Sequence, residues 1–491
     1  MSESYELEAS IGNWIGGDQV PAEAGRVFDK VNPATGQLLT RVARSSSVDA
    51  DAAVGAARRA LPAWRALTPV ARGNHLREIA IALQRHSQEF ARIVALETGK
   101  SMRDALGEVG AAVEMGYFVA GEGRRFNGRT TTSALPNKAA MVVRQPLGVA
   151  GLIIAANTPI ANVAWKVFPA LLCGNTAVLK AAEDAPGTAW AFAKLAKSVG
   201  LPSGVLNVIQ GYGPEAGAPL VESPLVDVVS FTGSCAVGRT IAKAAGERLA
   251  KVCLELGGKN PLIVCDDADL DVAVEAAAQS AFSNAGQRCS SGSRLIVFDR
   301  VYEAFRERMV SRAQSMRAGP EDVHDFGPVI NERQLRNMIG AVERARQRGA
   351  RIICGGVRLS DPEHEAGFYM AATVVEGVGS DDEISVSELF GPITILYRVR
   401  DFEEAVKLAN DSPFGLTASI HTRSIHRAME FLQRIEAGVG IVNGPTYGSE
   451  PHMPFGGLRQ SGNGLREAGS EALDVYSDWK TIYINHNPGL A

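Results

Sequence analysis

From residue 147 the chain alternates repeatedly between short β-rich apolar runs and helical stretches, and this alternation narrows the available folds more than any other feature. Val149 to Ala155, Thr176 to Lys180, Val205 to Ile209 and Val226 to Phe231 read as strands, with Gly187 to Val199 and Gly238 to Gly246 as helical crossovers. Glycine-bounded strands alternating with helices predict a parallel, doubly wound sheet, since parallel neighbours need a crossover connection. The pattern restarts with a strand at Pro261 to Cys265, a helix over Val272 to Ala285 and a strand at Leu295 to Phe298, predicting a second α/β domain. At 491 residues the chain also exceeds the roughly 250 to 300 residues at which single cores stop growing.

Upstream, apolar residues at helical spacing (Ala52, Val54, Ala57; Leu76, Ile79, Ala80, Leu83) make residues 48–122 a helical region. Arg129 to Pro146 reads as a hairpin turning around Pro136-Asn137, and Val475 to Asn485 as a strand. That strand could pair with the hairpin near residue 140, and an exposed sheet edge of this kind invites a second subunit.

Composition removes several function classes. With 46% hydrophobic residues, 21% charged residues and a net charge of −4, the chain is of ordinary globular type and carries no basic footprint for nucleic acid. Six cysteines without a close C-x-x-C pair suggest neither a zinc site nor a disulfide framework, and no metal is predicted. The acidic start, Met1-Ser2-Glu3-Ser4-Tyr5-Glu6, lacks a signal-peptide core. The most apolar stretch, Val149 to Cys173, is broken by Asn157, Pro159, Asn162 and Lys166, so no membrane span is predicted and the location expected is cytoplasmic.

Two nucleotide patterns nearly match and fail. Gly99-Lys100-Ser101 resembles the end of a P-loop, but the leading glycine position is Val94. Gly211-Tyr212-Gly213-Pro214-Glu215-Ala216-Gly217 follows a strand and opens a helix with a spacing one residue too long for a dinucleotide fingerprint, which leaves Gly213 as a candidate cofactor contact on a strand-to-helix turn. Phe231-Thr232-Gly233-Ser234-Cys235-Ala236-Val237-Gly238 is the better phosphate candidate: free N–H groups and the positive end of a helix dipole would face a pyrophosphate there. An ordinary N-cap accounts for the same residues.

Three further residues suggest acyl chemistry. Cys289 lies in the polar loop Asn284 to Ser293 after a helix, where the adjoining Arg288 guanidinium is expected to favour thiolate, although a lone cysteine is more often a buried apolar residue. Glu255 closes the strand Val252-Cys253-Leu254, where a carboxylate is costly unless it is paired, faces a cleft or functions. Asn157 ends an apolar strand at the carboxyl edge, where ligands bind in open α/β sheets, and could donate to an oxyanion or simply turn the chain before Pro159.

Taken together, Leu254-Glu255-Leu256-Gly257-Gly258-Lys259, Gly286-Gln287-Arg288-Cys289, Val31 to Gly36, Glu388-Leu389-Phe390-Gly391-Pro392, Pro454-Phe455-Gly456-Gly457 and Ser461 to Gly464 resemble the NAD(P)-dependent aldehyde dehydrogenase superfamily, in its hydrolytic, non-acylating branch, over nearly the whole chain. The resemblance implies Cys289 as nucleophile, Glu255 as general base for water, Asn157 with the Cys289 N–H as oxyanion hole, and Lys166 as a proton relay. It implies Lys180 and Glu183 at the adenosine ribose, Gly233, Ser234 and Gly238 at the phosphates, and Glu388 and Phe390 at the nicotinamide ribose and ring. The fold it implies is α/β and aldehyde dehydrogenase-like: a doubly wound parallel-sheet NAD-binding domain (1–123 and 147–258), an α/β catalytic domain (259–458) and a β oligomerisation arm (124–146 and 473–491). NAD is the cofactor implied, with NADP possible; the partners are an aldehyde substrate and a second copy in a homodimer or homotetramer.

The chain departs from the usual pattern in places. Pro-Trp-Asn-Phe-Pro becomes Ala155-Ala156-Asn157-Thr158-Pro159, which removes two aromatics near the reactive centre and predicts a wider or differently lined tunnel. Lys-Pro-x-Glu becomes Lys180-Ala181-Ala182-Glu183, and Gly464-Leu465-Arg466-Glu467 carries an extra residue in a stretch expected to be structural. A coenzyme A-acylating relative would not need Glu255, and a non-catalytic binding protein would not need Cys289, Glu255 and Asn157 together. Arg288 could anchor the carboxylate of a semialdehyde or be structural, and the segments His452 to Phe455 and Gly462-Asn463-Gly464 somewhat resemble semialdehyde and aromatic-aldehyde branches.

Overall fold

The computed structural model describes residues 5–486; the first four residues of the acidic start and the five after His486 lie outside them. Four helices, α1 (Ser47–Ala66), α2 (Pro69–Arg85), α3 (Ser87–Thr98) and α4 (Met102–Glu122), form the predicted helical region. Local chemistry sets their ends: Ser46 and Asp49 form a capping box on α1, and Thr68 and Ser101 cap α2 and α4 through their hydroxyls.

The first large sheet runs in the order Lys251–Glu255, Val228–Thr232, Val149–Ile153, Thr176–Lys180, Leu206–Ile209, all parallel. Chain order reverses between Val149–Ile153 and Val228–Thr232, so the switch point of the doubly wound sheet falls there, and the loops carrying Asn157 and Gly233 leave from its carboxyl edge. Side chains alternate between two cores: Ala150, Leu152, Ala177 and Leu179 pack on one face with Trp64, Phe168 and Phe192, while Val149, Ile153, Val178 and Val229 pack on the other with Ala53 and Leu220. Strands buried on both faces need crossovers on both faces, supplied by α5 (Pro159–Leu172), α6 (Pro186–Ser198), α7 (Ala218–Glu222) and α8 (Cys235–Glu247).

The sheet is not wholly parallel. Asn13–Ile15 and Asp18–Val20 extend its far edge antiparallel, and Ser10–Ile11, Val27–Val31 and Leu38–Ala43 form a small separate sheet. These strands are two to six residues long. Such runs are too brief for a period-two pattern to stand out in a sequence.

The second large sheet has the order Arg351–Cys354, Thr373–Glu376, Ile393–Val399, Gly292–Phe298, Asn260–Val264, Thr417–His421, Val439–Val442, parallel except at its first pair. Helices of this domain include α9 (Leu270–Phe282), α10 (Asp299–Ser315) and α11 (Glu332–Gln347); α9 stops at Phe282, three residues short of the helix expected from sequence. Hairpin and terminal strand meet as expected: Ser477–Asn485 runs antiparallel to Lys138–Pro146 in unbroken register, with Arg129–Thr132 on the far side. Among the described residues no helix is long and apolar enough to cross a membrane.

Candidate active site

Asn157 is held through its backbone. Its carbonyl accepts from Lys100 Nζ at 2.9 Å and from Asn284 Nδ2 at 3.2 Å. Thr158 does not cap α5 with its side chain; Glu108 of α4 does so instead, accepting from Ile160 N at 2.9 Å while its other oxygen pairs with Lys100 at 2.6 Å. A buried carboxylate at a helix start satisfies orphan N–H groups and meets the positive dipole end. Asn162 Nδ2 lies 3.4 Å from Asn157 Oδ1, which orients the amide, and Asn157 Nδ2 is bonded to no described residue. It is therefore a donor ready for an oxygen in the cleft.

Cys289 sits in a loop built under strain. Past α9 the chain takes three successive left-handed residues, Asn284, Ala285 and Gly286, at φ 54°, 53° and 67°. A side chain at 286 would collide with the Gly391 carbonyl, so glycine is required there on two counts. Gln287 ties the loop down by accepting from Ile330 N at 2.8 Å and donating to Pro328 O at 3.1 Å; Asn260 Nδ2 donates to Cys289 O and Ser291 O at 2.8 and 2.9 Å. Cys289 thus stands at the amino end of strand Gly292–Phe298, while Asn157 follows the carboxyl end of a strand in the other sheet.

The thiol is not pre-ionised. Burial pushes it up to about 12, with the Glu388 and Glu255 carboxylates adding to the rise and Arg288 pulling down without prevailing. Arg288 favours thiolate as expected but is outweighed; its guanidinium lies over the Tyr447 ring at 4.8 Å, and its Nε is buried without a hydrogen-bond partner.

Glu255 ends its strand and is 5% exposed, with neither carboxyl oxygen bonded to a protein donor. The backbone around it is fixed by Leu254 N to Asn463 Oδ1 at 3.1 Å and Leu256 N to Ser461 O at 3.0 Å. Burial and then the Glu467 carboxylate hold Glu255 well above the usual carboxylate range, opposed by Lys166 and Arg466. Lys166, wholly buried on α5, pairs with Glu467 and donates to Ser230 Oγ at 2.8 Å. The extra-residue stretch Gly464 to Glu467 is therefore part of the electrostatics of the site, contrary to the purely structural role expected of it.

The candidate cofactor residues fall along the edge of the first sheet. Ser234 caps the 13-residue α8, with Val237 N at 3.4 Å, and beside it Thr232 Oγ1 is buried without a partner. A side chain at 233 would collide with the Phe231 ring, and one at 238 would come within 2.6 Å of Leu256. Lys180 Nζ donates to Glu183 at 2.7 Å; burial works against the Glu183 charge, but the Lys180 ammonium prevails and holds the carboxyl below its ordinary value. Glu388 accepts from Gly258 N at 3.0 Å and packs so closely on Gly257 that no Cβ fits. Burial pushes Glu388 up to about 7 against the pull of Gly258 N–H and Lys259. Phe390 takes φ 55°, an unusual conformation for an aromatic residue and one found at functional sites. Gly213 opens a five-residue helical turn in the loop before α7.

Sequence reading missed Glu108, Asn260 and Glu467, and set Lys100 aside with the failed P-loop. Each is a buried polar residue. Burial is what marks them, and it cannot be seen before the fold is known.

The sequence profile of the aldehyde dehydrogenase family matches residues 20–482. The α-ketoglutaric semialdehyde dehydrogenase of Bacillus subtilis (strain 168) is 38% identical over 96% of this chain and 97% of its own length, and the α-ketoglutarate semialdehyde dehydrogenase of Haloferax volcanii 37% over 96% and 99%. The crystal structure of betaine aldehyde dehydrogenase from Staphylococcus aureus with NAD+ superposes at TM-score 0.96 and 32% identity, covering 99% of this chain and 97% of that one. The chain belongs to the aldehyde dehydrogenase family and is an oxidoreductase acting on aldehydes.

Proposed function

We propose that the chain oxidises an aldehyde to its carboxylic acid with NAD, through a covalent intermediate on Cys289 that Glu255-activated water hydrolyses. The observation that carries this reading is Glu255 itself, a nearly sealed carboxyl with no protein donor on either oxygen and a strongly raised affinity for protons, close enough to Cys289 to oppose its ionisation. A carboxyl poised in this way is suited to general acid–base work. An acyl transfer to coenzyme A would have no use for it.

The residues fit a dinucleotide. The orphaned Thr232 hydroxyl, the glycine at 233 and the start of α8 suit phosphates; Lys180 with Glu183 suits the adenosine ribose, Gly213 lies on a neighbouring turn, and Glu388 with Phe390 suits the nicotinamide end. NAD is favoured over NADP because Glu183 would repel a 2′-phosphate. When bound, NAD supplies the acceptor for the hydride that the adduct on Cys289 loses.

Cys289 adds as thiolate to the carbonyl carbon, and its proton passes to a base, the role assigned to Glu255. Asn157 Nδ2 and the Cys289 N–H hold the tetrahedral oxyanion. Once the carbon is at the thioester level, Glu255 takes a proton from water, hydroxide attacks the acyl carbon, and the C–S bond breaks to release the acid and the thiolate. Lys166, salt-bridged to Glu467, serves as the relay: its ammonium gives a proton toward Glu255, and the neutral amine left behind takes one back.

The substrate class favoured is an aldehyde with a carboxylate at its far end. Arg288 adjoins the nucleophile with a buried unpartnered Nε, Thr158 and Asn162 give the entrance to α5 a polar lining, and two similar enzymes are named for a semialdehyde. An aromatic aldehyde is the second reading, supported by Tyr447 beneath the guanidinium. NADH formation with aliphatic, aromatic and ω-carboxylated aldehydes tests both: the ω-carboxylated compounds should give the highest kcat/KM, and Arg288→Met should remove that advantage selectively. Equal efficiency across the panel would reject the assignment. Cys289→Ala should abolish turnover while the protein still folds, and residual turnover would reject the covalent mechanism.

The domain division proposed is 1–123 with 147–258 for NAD, 259–458 for catalysis, and 124–146 with 473–491 as the arm. Trp479, Tyr483 and Ile484 are exposed along the arm, which supports assembly into a homodimer or homotetramer. The setting proposed is the cytoplasm, where the free thiols of all six cysteines stay reduced.

A further inference from the structure

Beside the Lys180–Glu183 pair lies a group of charges, two of them buried and one half-buried, that the mechanism does not use. Glu97 of α3 is wholly buried and accepts from Gly187 N at 2.6 Å, Thr188 N at 3.0 Å and Thr188 Oγ1 at 2.7 Å. It thereby caps α6, whose own N-cap residue, Ala185, has no side chain able to do so. Gly187 has no room for a Cβ, because Leu7 and Glu97 press against it. Asp184 accepts from Asn331 Nδ2 at 2.9 Å, and Asn331 is itself the N-cap of α11 on the catalytic side. The loop 181–187, which carries Glu183, is thus fastened at one end to α3 and near its middle to α11.

The third member is Lys30, 4% exposed in strand Val27–Val31. It forms no hydrogen bond or close ion pair with either carboxylate and acts on them through space: burial lowers its affinity for a proton, Asp184 and Glu97 raise it, and both carboxylates are in turn favoured as anions by it. Burial nevertheless prevails at both, leaving Glu97 and the half-buried Asp184 with raised proton affinity, so loss of the Lys30 charge would push them further toward the neutral form. A neutral Glu97 would present an O–H to backbone donors and lose one of its contacts on α6.

We infer that Lys30, Glu97 and Asp184 form a clamp that positions Glu183 and so sets the affinity for the adenosine half of the cofactor. These are positioning residues, since none is assigned a contact with the reacting atoms. The inference rests on the proposed role of Glu183 at the ribose.

Titration calorimetry with ADP-ribose reads the clamp without turnover. Lys30→Met and Asn331→Ser should each weaken ADP-ribose by about tenfold, the size of one lost hydrogen-bonded contact at Glu97 or Asp184, and raise KM for NAD in parallel, with kcat at saturating NAD within about twofold. Lys30→Arg should restore most of the affinity. Unchanged ADP-ribose affinity in both variants, or a kcat that falls as far as the affinity, would overturn the clamp. Should Lys30→Met fail to fold, Asn331→Ser decides alone, because a serine hydroxyl can still cap α11 at Gln334 N while the contact to Asp184 is lost. Glu183→Gln separates the two claims: if it leaves ADP-ribose binding intact the ribose reading is wrong, whereas if it weakens binding and the clamp variants do not, only the clamp is wrong.

Discussion

Lys166 and Glu467, 301 positions apart in sequence, form an ion pair shut off from solvent beside Glu255. The two charges act on Glu255 in opposite directions, Glu467 raising its proton affinity and Lys166 lowering it. Removing either one should therefore move the same titration in opposite senses.

With hydrolysis made rate-limiting, kcat rises with pH as Glu255 loses its proton. In Glu467→Gln the repelling carboxylate is gone, Glu255 ionises more readily, and the rising limb should move to lower pH. In Lys166→Met the limb should move to higher pH. The second variant should also lose about 3–5 kcal/mol of stability, because Glu467 is left as an uncompensated buried charge. Coincident limbs in all three proteins would remove the pair from the chemistry.

Glu255→Gln should permit thiolate attack and hydride loss, at least in part, and stall at the thioester. Rapid mixing with NAD and a good aldehyde should give at most about one NADH per site and then very slow turnover, with the acyl group found on Cys289 by mass spectrometry. Some loss of burst rate follows if Glu255 also takes the thiol proton. Unimpaired steady-state turnover would mean that another group activates water.

Asn157→Ala should lower kcat by about 10²-fold to 10³-fold, the usual loss for one oxyanion donor. Its backbone anchors, Lys100 and Asn284, bond the main chain and survive the substitution, so the thermal midpoint should change little. A fall in kcat smaller than threefold would take Asn157 out of the oxyanion hole.

Catalytic efficiency should favour NAD over NADP, because the Lys180 ammonium keeps Glu183 ionised and a 2′-phosphate would meet that charge. Glu183→Gln should narrow the gap by weakening NAD and relieving the repulsion of NADP. A clear preference of the parent enzyme for NADP would show that Glu183 does not face the 2′ position.

Much of the architecture was legible from local pattern. The strands around Val149, Thr176 and Val228 are apolar on both faces and each is bordered by a glycine, Gly148, Gly174 or Gly233, and the pairing of Ser477–Asn485 with Lys138–Pro146 followed from one β-rich run matching another. The site was legible where a motif concentrates unusual residues, as around Glu255 and Cys289. It was illegible where the chemistry depends on burial. Arg288 is next to Cys289 in the chain, yet its charge is outweighed by burial of the thiol and by Glu388 and Glu255, two carboxylates distant in sequence. Glu108 and Glu467 look like surface acids until α4 and the 461–467 segment are seen to close over α5. The N-terminal strands escaped because they are too short to show a period.

The separation of Lys166 from Glu467 also sets an order of events during synthesis. At roughly 5–20 residues per second, the gap between the two is on the order of 15 to 60 s of elongation. Over that time the strands of the first sheet and α5 already exist, but the ammonium on α5 lacks the anion that makes its burial tolerable. Burial of Lys166 is therefore compensated only once the 461–467 segment arrives, and the charge balance around Glu255 is a part of the enzyme that the ribosome completes late. A chain cut short before Glu467 would keep its thiol and its oxyanion donor and still lack the charge balance that Glu255 works against.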